Sequence, residues 1–258
     1  MMSISKLARA ALLSAMLLMT TAVSFAAGPA VKTVLLVHGA WADGSSWSKV
    51  IPLLQARGLH VVSVQLPLTS LADDVAATQR AMALETGPLL LVGHSYGGVV
   101  ISQAGNDPKV AGLVFVAAYA PEEGQSGLSL AQANPTPIGN NQIVPDAFGF
   151  LKLTQTGIFQ DFAPELSDLE KNILFATQIP TSVNSLAAPL PVAPAWRTKP
   201  NWFIVASHDR VISPQLEQSE AQQMKAITLT LPACHVVMLE HPFPVADFIE
   251  DAAERLSH

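Results

Sequence analysis

The sequence predicts an α/β protein: a mostly parallel, doubly wound sheet of about six strands, with helices on both faces and an inserted cap. Apolar, β-branched runs alternate with helical patterns along residues 31–121 and again along 201–256, and this alternation is typical of βαβ units. Between the two stretches the alternation stops over 122–199. That length is too great for an ordinary connection and indicates an insertion.

The first stretch contains the elements that begin the sheet. Four apolar runs are predicted as strands: 31–39, 60–67, 88–95 and 110–121. Three segments with helical spacing of apolar residues lie between them: 45–58, 70–87 and 97–105. Ser70 is the expected N-cap of the second helix, and Pro52 predicts an irregular first turn in the first helix.

The later elements comprise the cap and the end of the sheet. Prolines are frequent in 122–199, where one segment, 164–178, has a clear helical pattern. A disordered linker is the alternative to a cap, but the apolar "AFGFLKL" and this helix argue against it. The remaining predicted elements are strands at 201–209 and 227–235 and helices at 213–226 and 244–256.

The first 26 residues are predicted to be a secretory signal peptide. Lys6 and Arg9 precede the short apolar stretch 10–19, and Ser24 and Ala26 are small residues suited to a cut after Ala26. The mature chain, 27–258, would then be a single domain in the periplasm or outside the cell, without stable membrane association. An uncleaved anchor is the alternative, although the apolar stretch is short for a membrane span.

Composition excludes some classes of function. The net charge is −6 and no run of Lys or Arg occurs, so there is no electrostatic basis for binding nucleic acid. Cys234 is the single cysteine, so we expect a free, half-buried thiol and no disulfide within the chain. The sequence does not indicate an oligomeric state.

The segment "LLLVGHSYGGVVI" (89–101) interrupts an apolar run with a glycine-rich turn. Its Gly-x-Ser-x-Gly pattern lies between a predicted strand and a predicted helix, as a nucleophile elbow requires. Ser95 would project from the top of the sheet, and Gly93 and Gly97 would allow strand and helix to approach closely. A plain glycine-rich turn is the alternative interpretation.

A serine nucleophile needs a base and an acid that orients the base. In this arrangement the acid follows the serine in the chain and the histidine follows the acid. Asp209 ends a predicted strand and His235 follows the last one, so both are expected at the carboxyl edge of the sheet with Ser95.

Other residues compete for these two roles. His241 is an alternative base, and Glu122 or Glu123 after the fourth strand is an alternative acid, on position alone. His208 adjoins Asp209 and is expected to point to the opposite face of the strand.

An oxyanion hole is expected from two backbone N–H groups. One belongs to Tyr96 at the start of the helix after Ser95. The other comes from the loop "HGAW" (38–41), where Ala40 is the expected donor and His38 a residue that braces the loop.

With "VLLVHGAWADGSSWSKV", "VGHSYGG", "SHDRVI" and "CHVVMLEHP" in this order, the chain resembles the α/β-hydrolase superfamily over essentially its whole mature length. More narrowly, it is similar to exported bacterial hydrolases related to plant methyl esterases and hydroxynitrile lyases. The resemblance implies a Ser95–Asp209–His235 triad, an oxyanion hole from Ala40 and Tyr96, a cap before the Asp-bearing strand, and no cofactor or metal.

The expected function is a serine hydrolase that cleaves small to medium hydrophobic carboxylic esters through an acyl-enzyme. The expected partner is thus a small-molecule ester, and aromatic residues of the cap are candidates for its apolar pocket: Phe148, Phe150, Phe159, Phe162 and Trp196. They could equally hold the cap down. Amide, thioester and lactone hydrolysis use the same residues and are not distinguished from ester hydrolysis.

Two further alternatives are a small-ligand-binding protein without turnover and a hydroxynitrile-lyase-like enzyme that cleaves a C–C bond. Lyases of the resembling branch carry a Thr after the first-loop His and a Lys after the catalytic His. Here these positions are Gly39 and Val236, so no cation would stabilise departing cyanide.

Overall fold

We analysed a computed structural model of the chain, which describes residues 30–135 and 137–257. The predicted signal peptide, 1–26, lies outside the described residues, so its cleavage stays a prediction. Among the described residues, no helix has the length and apolar character needed to cross a membrane.

The described residues form a six-stranded sheet, and a smaller three-stranded sheet lies apart from it. The strands in chain order are β1 (Thr33–Val37), β2 (His60–Val64), β3 (Leu89–His94), β4 (Val110–Val116), β5 (Ile143–Pro145), β6 (Phe150–Leu153), β7 (Thr181–Ser182), β8 (Asn201–Ala206) and β9 (Ile227–Leu231). The large sheet has the order β2-β1-β3-β4-β8-β9, and every neighbouring pair is parallel. This is the α/β-hydrolase fold that the sequence predicts.

The α-helices of the described residues alternate with these strands and also build much of the insertion. In chain order they are α1 (Ile51–Ala56), α2 (Leu71–Ala83), α3 (Gly97–Ala104), α4 (Gly127–Ala133), α5 (Gln155–Gly157), α6 (Asp168–Thr177), α7 (Val183–Ala187), α8 (Pro214–Met224), α9 (Val237–Glu240) and α10 (Pro242–Arg255). A π-helical turn, Ile158–Phe162, extends α5. Short 3₁₀ turns complete the set: Gly44–Trp47, Ile138–Gln142 and Ala195–Arg197.

Burial explains the pattern of the strands. The central strands β1 and β3 are buried at every position, whereas the edge strands β2 and β9 are partly exposed. Helices therefore cover both faces of the central strands, and apolar side chains fill both layers. Most of the buried apolar residues form one continuous core, and Leu130, Ile212 and Leu216 form a second, smaller cluster.

Local signals set the helix ends. The Ser70 hydroxyl accepts a hydrogen bond from the Asp73 N–H at 3.1 Å, which confirms Ser70 as the N-cap of α2. Pro52 stands in the first turn of α1, after a 3₁₀ turn that takes the place of the helix predicted from residue 45. The predicted helix 164–178 begins later, at Asp168, because Ser167 and Glu170 form a capping box.

Several predicted strands are too long. The strand predicted at 110–121 ends at Val116, and the strand predicted at 201–209 ends at Ala206, three residues before Asp209. The strand predicted at 227–235 ends at Leu231, so His235 lies on a loop. After β4 and β9, apolar residues continue past the strand end because the loops there are mostly buried, and a hydropathy pattern does not separate a buried loop from a strand. After β8 the chain turns polar, at Ser207 and the exposed His208.

The stretch between β4 and β8 contains strands that the sequence analysis missed. The chain segments β5, β6 and β7 pair antiparallel in the small sheet, and these strands are only two to four residues long. Periodicity needs a longer run to be recognised.

The order of the large sheet creates a crevice at one edge. The chain runs outward from β1 to β2 and then returns to β3 on the other side of β1. The loops after β1 and β3 therefore separate at the carboxyl ends of these strands, where open α/β sheets bind ligands. Residues 38–41 and Ser95 lie at this point.

Candidate active site

Ser95 occupies a sharp turn between β3 and α3. Its φ is +55°, a left-handed backbone conformation that is unfavourable for a residue with a side chain. Neighbouring backbone holds it there: the Ser95 N–H donates to the Val116 carbonyl at 3.2 Å, and its carbonyl accepts from the Gly98 N–H at 3.0 Å. The turn projects the hydroxyl out of the sheet edge, as a nucleophile elbow does.

The two flanking glycines allow this turn to form. A Cβ atom at Gly93 would lie 2.6 Å from the Gly97 carbonyl oxygen, and a Cβ atom at Gly97 would lie 2.5 Å from the Val37 carbonyl oxygen. Both approaches are to backbone, which has little freedom to move. The close contact of β3, α3 and β1 therefore requires glycine at both positions.

His235 and Asp209 complete a hydrogen-bonded chain with Ser95. The His235 Nε2 lies 2.9 Å from the Ser95 Oγ, and the His235 Nδ1 lies 2.6 Å from the Asp209 Oδ2. Because a carboxylate only accepts, the proton of the neutral imidazole belongs on Nδ1, which leaves Nε2 free to accept from the hydroxyl. This is the geometry of a serine activated by an oriented base.

Asp209 is held by the backbone that follows it. Its Oδ1 accepts from the N–H of Val211 at 2.6 Å and of Ile212 at 3.0 Å. Asp209 and His235 are both buried. Bonds to two backbone donors and to His235 fix the orientation of this carboxyl.

His94 packs against His235 and hydrogen-bonds to its backbone. Its Nε2–H donates to the His235 carbonyl oxygen at 3.0 Å, and the two ring centroids are 4.7 Å apart. Complete burial, with a smaller contribution from the nearby His235, lowers the pKa of His94 well below its ordinary value. His94 is therefore neutral and adds no charge beside His235. Phe162, from the insertion, packs against the His235 ring with centroids 5.2 Å apart.

The predicted oxyanion donors, Ala40 and Tyr96, line the same cavity as Ser95. Among the described residues, neither backbone N–H donates a hydrogen bond to protein. Two N–H groups without protein acceptors beside a nucleophile suit an oxyanion.

His38 braces the loop that carries Ala40. Its Nε2 accepts from the Leu66 N–H at 2.9 Å, so its Nδ1 carries the proton and donates to the Gly39 carbonyl at 2.9 Å. Burial lowers the pKa of His38, although the bond to Gly39 opposes this shift. The neutral ring therefore fixes the backbone immediately before Ala40.

The insertion also holds the Ala40 loop. The Thr181 Oγ1 accepts from the Trp41 N–H at 3.0 Å, and the Trp41 indole N–H donates to the Leu151 carbonyl at 3.0 Å. Trp41 has a φ of +57°, a strained conformation that these two bonds help to maintain.

A buried network supports Tyr96. The Tyr96 hydroxyl donates to Asp74 Oδ2 at 2.7 Å, while Asp74 Oδ1 accepts from the Leu68 N–H at 2.7 Å. Ser185, on α7 of the insertion, is buried near Asp74, but its hydroxyl has no hydrogen-bond partner among the described residues. Burial raises the pKa of Asp74, and the hydrogen bonds oppose that shift. Thr181 thus connects the insertion to the loop of one predicted oxyanion donor, Ala40, through its bond to the Trp41 N–H. Sequence reasoning missed Asp74, Thr181 and Ser185, since no local pattern marks them.

The alternative base and acids lie in other contacts. His241 Nε2 lies 3.3 Å from Glu240 Oε1, and Glu122 accepts from Arg197 at 2.8 Å and from Gln223 at 2.7 Å. Glu123 is exposed. Among the described side chains, only His235 hydrogen-bonds to the Ser95 hydroxyl.

A cavity of about 280 Å³ opens onto Ser95. Its walls are Ala40, Trp41, Ser95, Tyr96, Tyr119, Gly127, Leu128, Ala131, Gln132, Asn140, Ile143, Leu186 and Val211. No charged side chain occurs among these described residues. None of the five aromatic residues suggested from the sequence lines it either: Phe148 is exposed, and Phe162 and Trp196 are buried in the core. The expected apolar pocket is present, but other residues form it.

Cys234 is fully buried rather than half-buried as expected. Burial raises the pKa of its thiol, and the nearby Glu240 adds to the shift. Among the described residues, no group of three or more His, Cys, Asp or Glu side chains is placed to hold a metal ion.

Together, the parallel sheet, the strained serine turn and the Ser95–His235–Asp209 chain define a class of α/β protein with the geometry of serine hydrolases. The chain matches the alpha/beta hydrolase family model over residues 34–248, and it belongs to that family.

Similar proteins agree with this assignment. A pyrethroid hydrolase of Sphingobium wenxiniae is 26% identical over 252 residues, covering 87% of this chain and 88% of the relative. A putative methylesterase 13 of Arabidopsis thaliana is 30% identical over 139 residues, covering 48% of this chain and 31% of the relative. A crystal structure of a pyrethroid hydrolase from Sphingobium faniae superposes with a TM-score of 0.75 at 24% identity, covering 86% and 97% of the two chains.

Proposed function

We propose that the protein is a serine hydrolase that cleaves neutral carboxylic esters of small to medium size through an acyl-enzyme. The single observation that carries this proposal is the hydrogen-bonded chain from Ser95 through His235 to Asp209, with distances of 2.9 and 2.6 Å, at the base of an uncharged cavity. The named activities of the relatives, a pyrethroid hydrolase and a methylesterase, also support an ester substrate.

In the proposed reaction, the Ser95 Oγ attacks the ester carbonyl while His235 Nε2 takes its proton. The developing oxyanion accepts from the backbone N–H groups of Ala40 and Tyr96. Asp209 keeps its bond to Nδ1–H and stabilises the imidazolium, which then protonates the leaving alcohol. Water, deprotonated by His235, finally hydrolyses the acyl-enzyme.

The cavity supports a neutral, largely apolar substrate. Leu128, Ile143 and Leu186 contribute apolar surface, and Gln132 and Asn140 are uncharged hydrogen-bonding groups. A charged substrate would lose its hydration without finding a counter-ion there. Pockets of this size and character bind small molecules rather than polymers.

Two residues favour hydrolysis over cyanohydrin cleavage. A Cβ atom at Gly39 would lie 2.7 Å from the Ser95 Cβ, so a threonine would not fit there without movement. Val236, immediately after the proposed base, is apolar and buried. No cation therefore stands at that position to stabilise a departing cyanide.

The first test is hydrolysis of p-nitrophenyl butyrate by wild type and by Ser95→Ala. We expect turnover by the wild type and loss of nearly all activity in the variant, together with labelling of Ser95 by a fluorophosphonate, located by peptide mass mapping. Equal rates in the two proteins would contradict the proposal and favour a ligand-binding protein. Acyl and alcohol chain lengths, with matched amides, thioesters and lactones, would then define the substrate.

We also propose that the protein is exported, on the basis of the N-terminal sequence pattern. Expression of the full chain with fractionation should place it in the periplasm or medium, and N-terminal sequencing should find Ala27 first. An intact N-terminus on a membrane-bound protein would favour the uncleaved anchor instead.

A further inference from the structure

Glu217, next to Asp209, has a buried carboxyl group that the proposed reaction does not use. Glu217, in the first turn of α8, is completely buried. Its Oε2 accepts from the Ala206 N–H, the last residue of β8, at 2.8 Å. Its other oxygen, Oε1, meets no N–H or O–H donor among the described residues. The Glu217 carboxyl is instead close enough to the Asp209 carboxyl for the two to interact directly.

Two carboxyl groups in contact inside a protein share a proton, because two buried negative charges repel each other strongly. Asp209 accepts from two backbone N–H groups and from His235, whereas Glu217 accepts from one backbone N–H. The negative charge is therefore better stabilised on Asp209, and the shared proton belongs on Glu217. In agreement, burial first and the charge of Asp209 second raise the pKa of Glu217 well above its ordinary value.

Resting on the proposed function, we propose that Glu217 is a positioning residue of the triad, whose protonated carboxyl donates its O–H to the Asp209 carboxylate while its other oxygen accepts from the Ala206 N–H. This arrangement leaves no oxygen of Glu217 without a partner. It adds a further donor to Asp209 and ties the acid to both the end of β8 and α8.

A glutamine at this position should perform the same task. Its amide carbonyl would accept from Ala206 and its NH₂ would donate to Asp209. A leucine of similar volume would keep the packing but would lose the donor and leave the Ala206 N–H unpaired. The two substitutions therefore separate hydrogen bonding from volume.

Glu220 provides a matched control on the same helix. It is buried, and its Oε1 accepts from the Ala120 N–H at 2.9 Å. Unlike Glu217, it makes no hydrogen bond to Asp209. The change in kcat and KM on substituting Glu220 therefore measures the effect of altering a buried, backbone-bound carboxyl that does not contact the triad.

The experiment compares Glu217→Gln, Glu217→Leu and Glu220→Gln in the full-length enzyme with p-nitrophenyl butyrate. We expect kcat of Glu217→Gln within about threefold of wild type, and kcat of Glu217→Leu lower by about ten- to a hundredfold, the range for a hydrogen bond to a charged group. The KM should change little in either, and Glu220→Gln should resemble wild type. Equal losses in the Gln and Leu variants, or none in Leu, would overturn the proposal.

The alkaline limb of the pH profile supplies a second readout. The charged or titratable groups that face Glu217 are Asp209, Glu220 and Tyr119, with His235 beyond Asp209. As pH rises, ionised Glu217 would lose its donor and repel Asp209, so wild-type kcat should fall. Glu217→Gln does not ionise and should keep its activity at higher pH, and Glu220→Gln measures the share due to Glu220. Identical alkaline limbs in wild type and Glu217→Gln would contradict the proposal.

Proton NMR tests the inference even if no esterase activity exists. The His235 Nδ1–H, hydrogen-bonded to Asp209, should give a far-downfield resonance. It should persist in wild type and Glu217→Gln and shift or broaden in Glu217→Leu. If wild type shows this resonance without hydrolysing any ester, the proposed function fails while the positioning role stands. A resonance unaffected in Glu217→Leu would refute the positioning role alone.

Discussion

The two walls of the cavity are built differently. On the sheet side, Ser95 lines the cavity and is hydrogen-bonded to His235, which is bonded in turn to Asp209. We call these three residues the sheet wall, and hydrogen bonds to backbone or to one another hold their polar atoms in place. On the insertion side, α4, α7 and the segment at 138–143 present mostly apolar side chains with two uncharged amides, Gln132 and Asn140. The sheet wall thus holds the groups proposed to react, and the insertion wall provides most of the surface that a substrate would contact.

This difference predicts which substitutions should lower turnover and which should change substrate preference. Buried, hydrogen-bonded groups at strand ends tolerate little displacement, so changes there should abolish turnover. Each apolar contact from the insertion would contribute only a small part of the binding free energy of a substrate. Changes there should therefore alter the relative activity towards different substrates. Thr181 connects the walls through its bond to the Trp41 N–H, and a change at this position should have an intermediate effect.

The largest expected effect comes from His235→Ala on the sheet wall. Loss of the base should lower kcat by about 10⁴-fold with p-nitrophenyl butyrate while leaving KM within a few-fold. His241→Ala is the matched control, since His241 contacts Glu240 instead, and it should keep wild-type kinetics. A large loss in His241→Ala with activity retained in His235→Ala would reverse the assignment of the base.

The buried carboxyl group of Glu220, on α8, should also affect stability. Burial raises the pKa of Glu220 to about 8 from an ordinary value of 4.5. The folded chain therefore holds a proton that the unfolded chain releases, and the free energy of unfolding should fall as pH rises from about 4.5 to about 8.

The substitution Glu220→Gln removes the titrating carboxyl, so the free energy of unfolding should no longer fall over this pH range on its account. At pH 9 it should be more stable than wild type by about 2 kcal/mol or more, and at pH 5 the two should be similar. Urea denaturation followed by circular dichroism at the two pH values measures the difference. An equal difference between the proteins at both pH values would show that Glu220 does not titrate across this range in the fold.

The residues of the sheet wall were also easier to predict from the sequence than those of the insertion wall. A nucleophile elbow is local, since its serine and glycines fall within five residues, and the strand–helix alternation around it predicted the parallel sheet. Asp209 and His235 could be proposed because the end of each strand must reach the same edge. The strand ends themselves were placed too late; after β4 and β9 the reason is that buried loops share the apolar character of strands.

The insertion wall and the supporting residues could not be derived in the same way. Thr181–Ser182 is a strand of two residues, too short to show any periodicity. Glu217 lies in the polar sequence "QLEQSEAQQ", which is typical of a solvated helix, and only packing against β8 buries it. The aromatic residues of the cap were predicted as candidates for the apolar pocket from their hydrophobicity alone. Their actual contacts depend on how an irregular chain folds over the sheet. The limits of the cap and the roles of the site residues stay predictions until they are tested.

Thr181→Val tests the connection between the walls. The substitution keeps the volume but removes the Oγ1 that accepts from the Trp41 N–H, so the loop carrying Ala40 should lose part of its order. We expect kcat to fall about five- to tenfold, the size of one neutral hydrogen bond, with little change in KM. Thr177→Val, on the exposed face of α6, is the control. A drop in kcat that is the same for both variants would argue against this role for Thr181.

The smallest expected effect lies on the insertion wall. Leu186, on α7, contributes apolar surface to the cavity, and Leu186→Ala should enlarge it by a few methylene groups. The ratio of kcat/KM for octanoate over butyrate p-nitrophenyl esters should rise about three- to fivefold, since each methylene in such a pocket is worth only a modest energy. Leu169→Ala, which removes an exposed leucine of α6, should leave the ratio unchanged. If kcat for the short ester instead collapsed in Leu186→Ala, the insertion would be part of the reacting geometry, and the division between a wall that reacts and a wall that selects would be wrong.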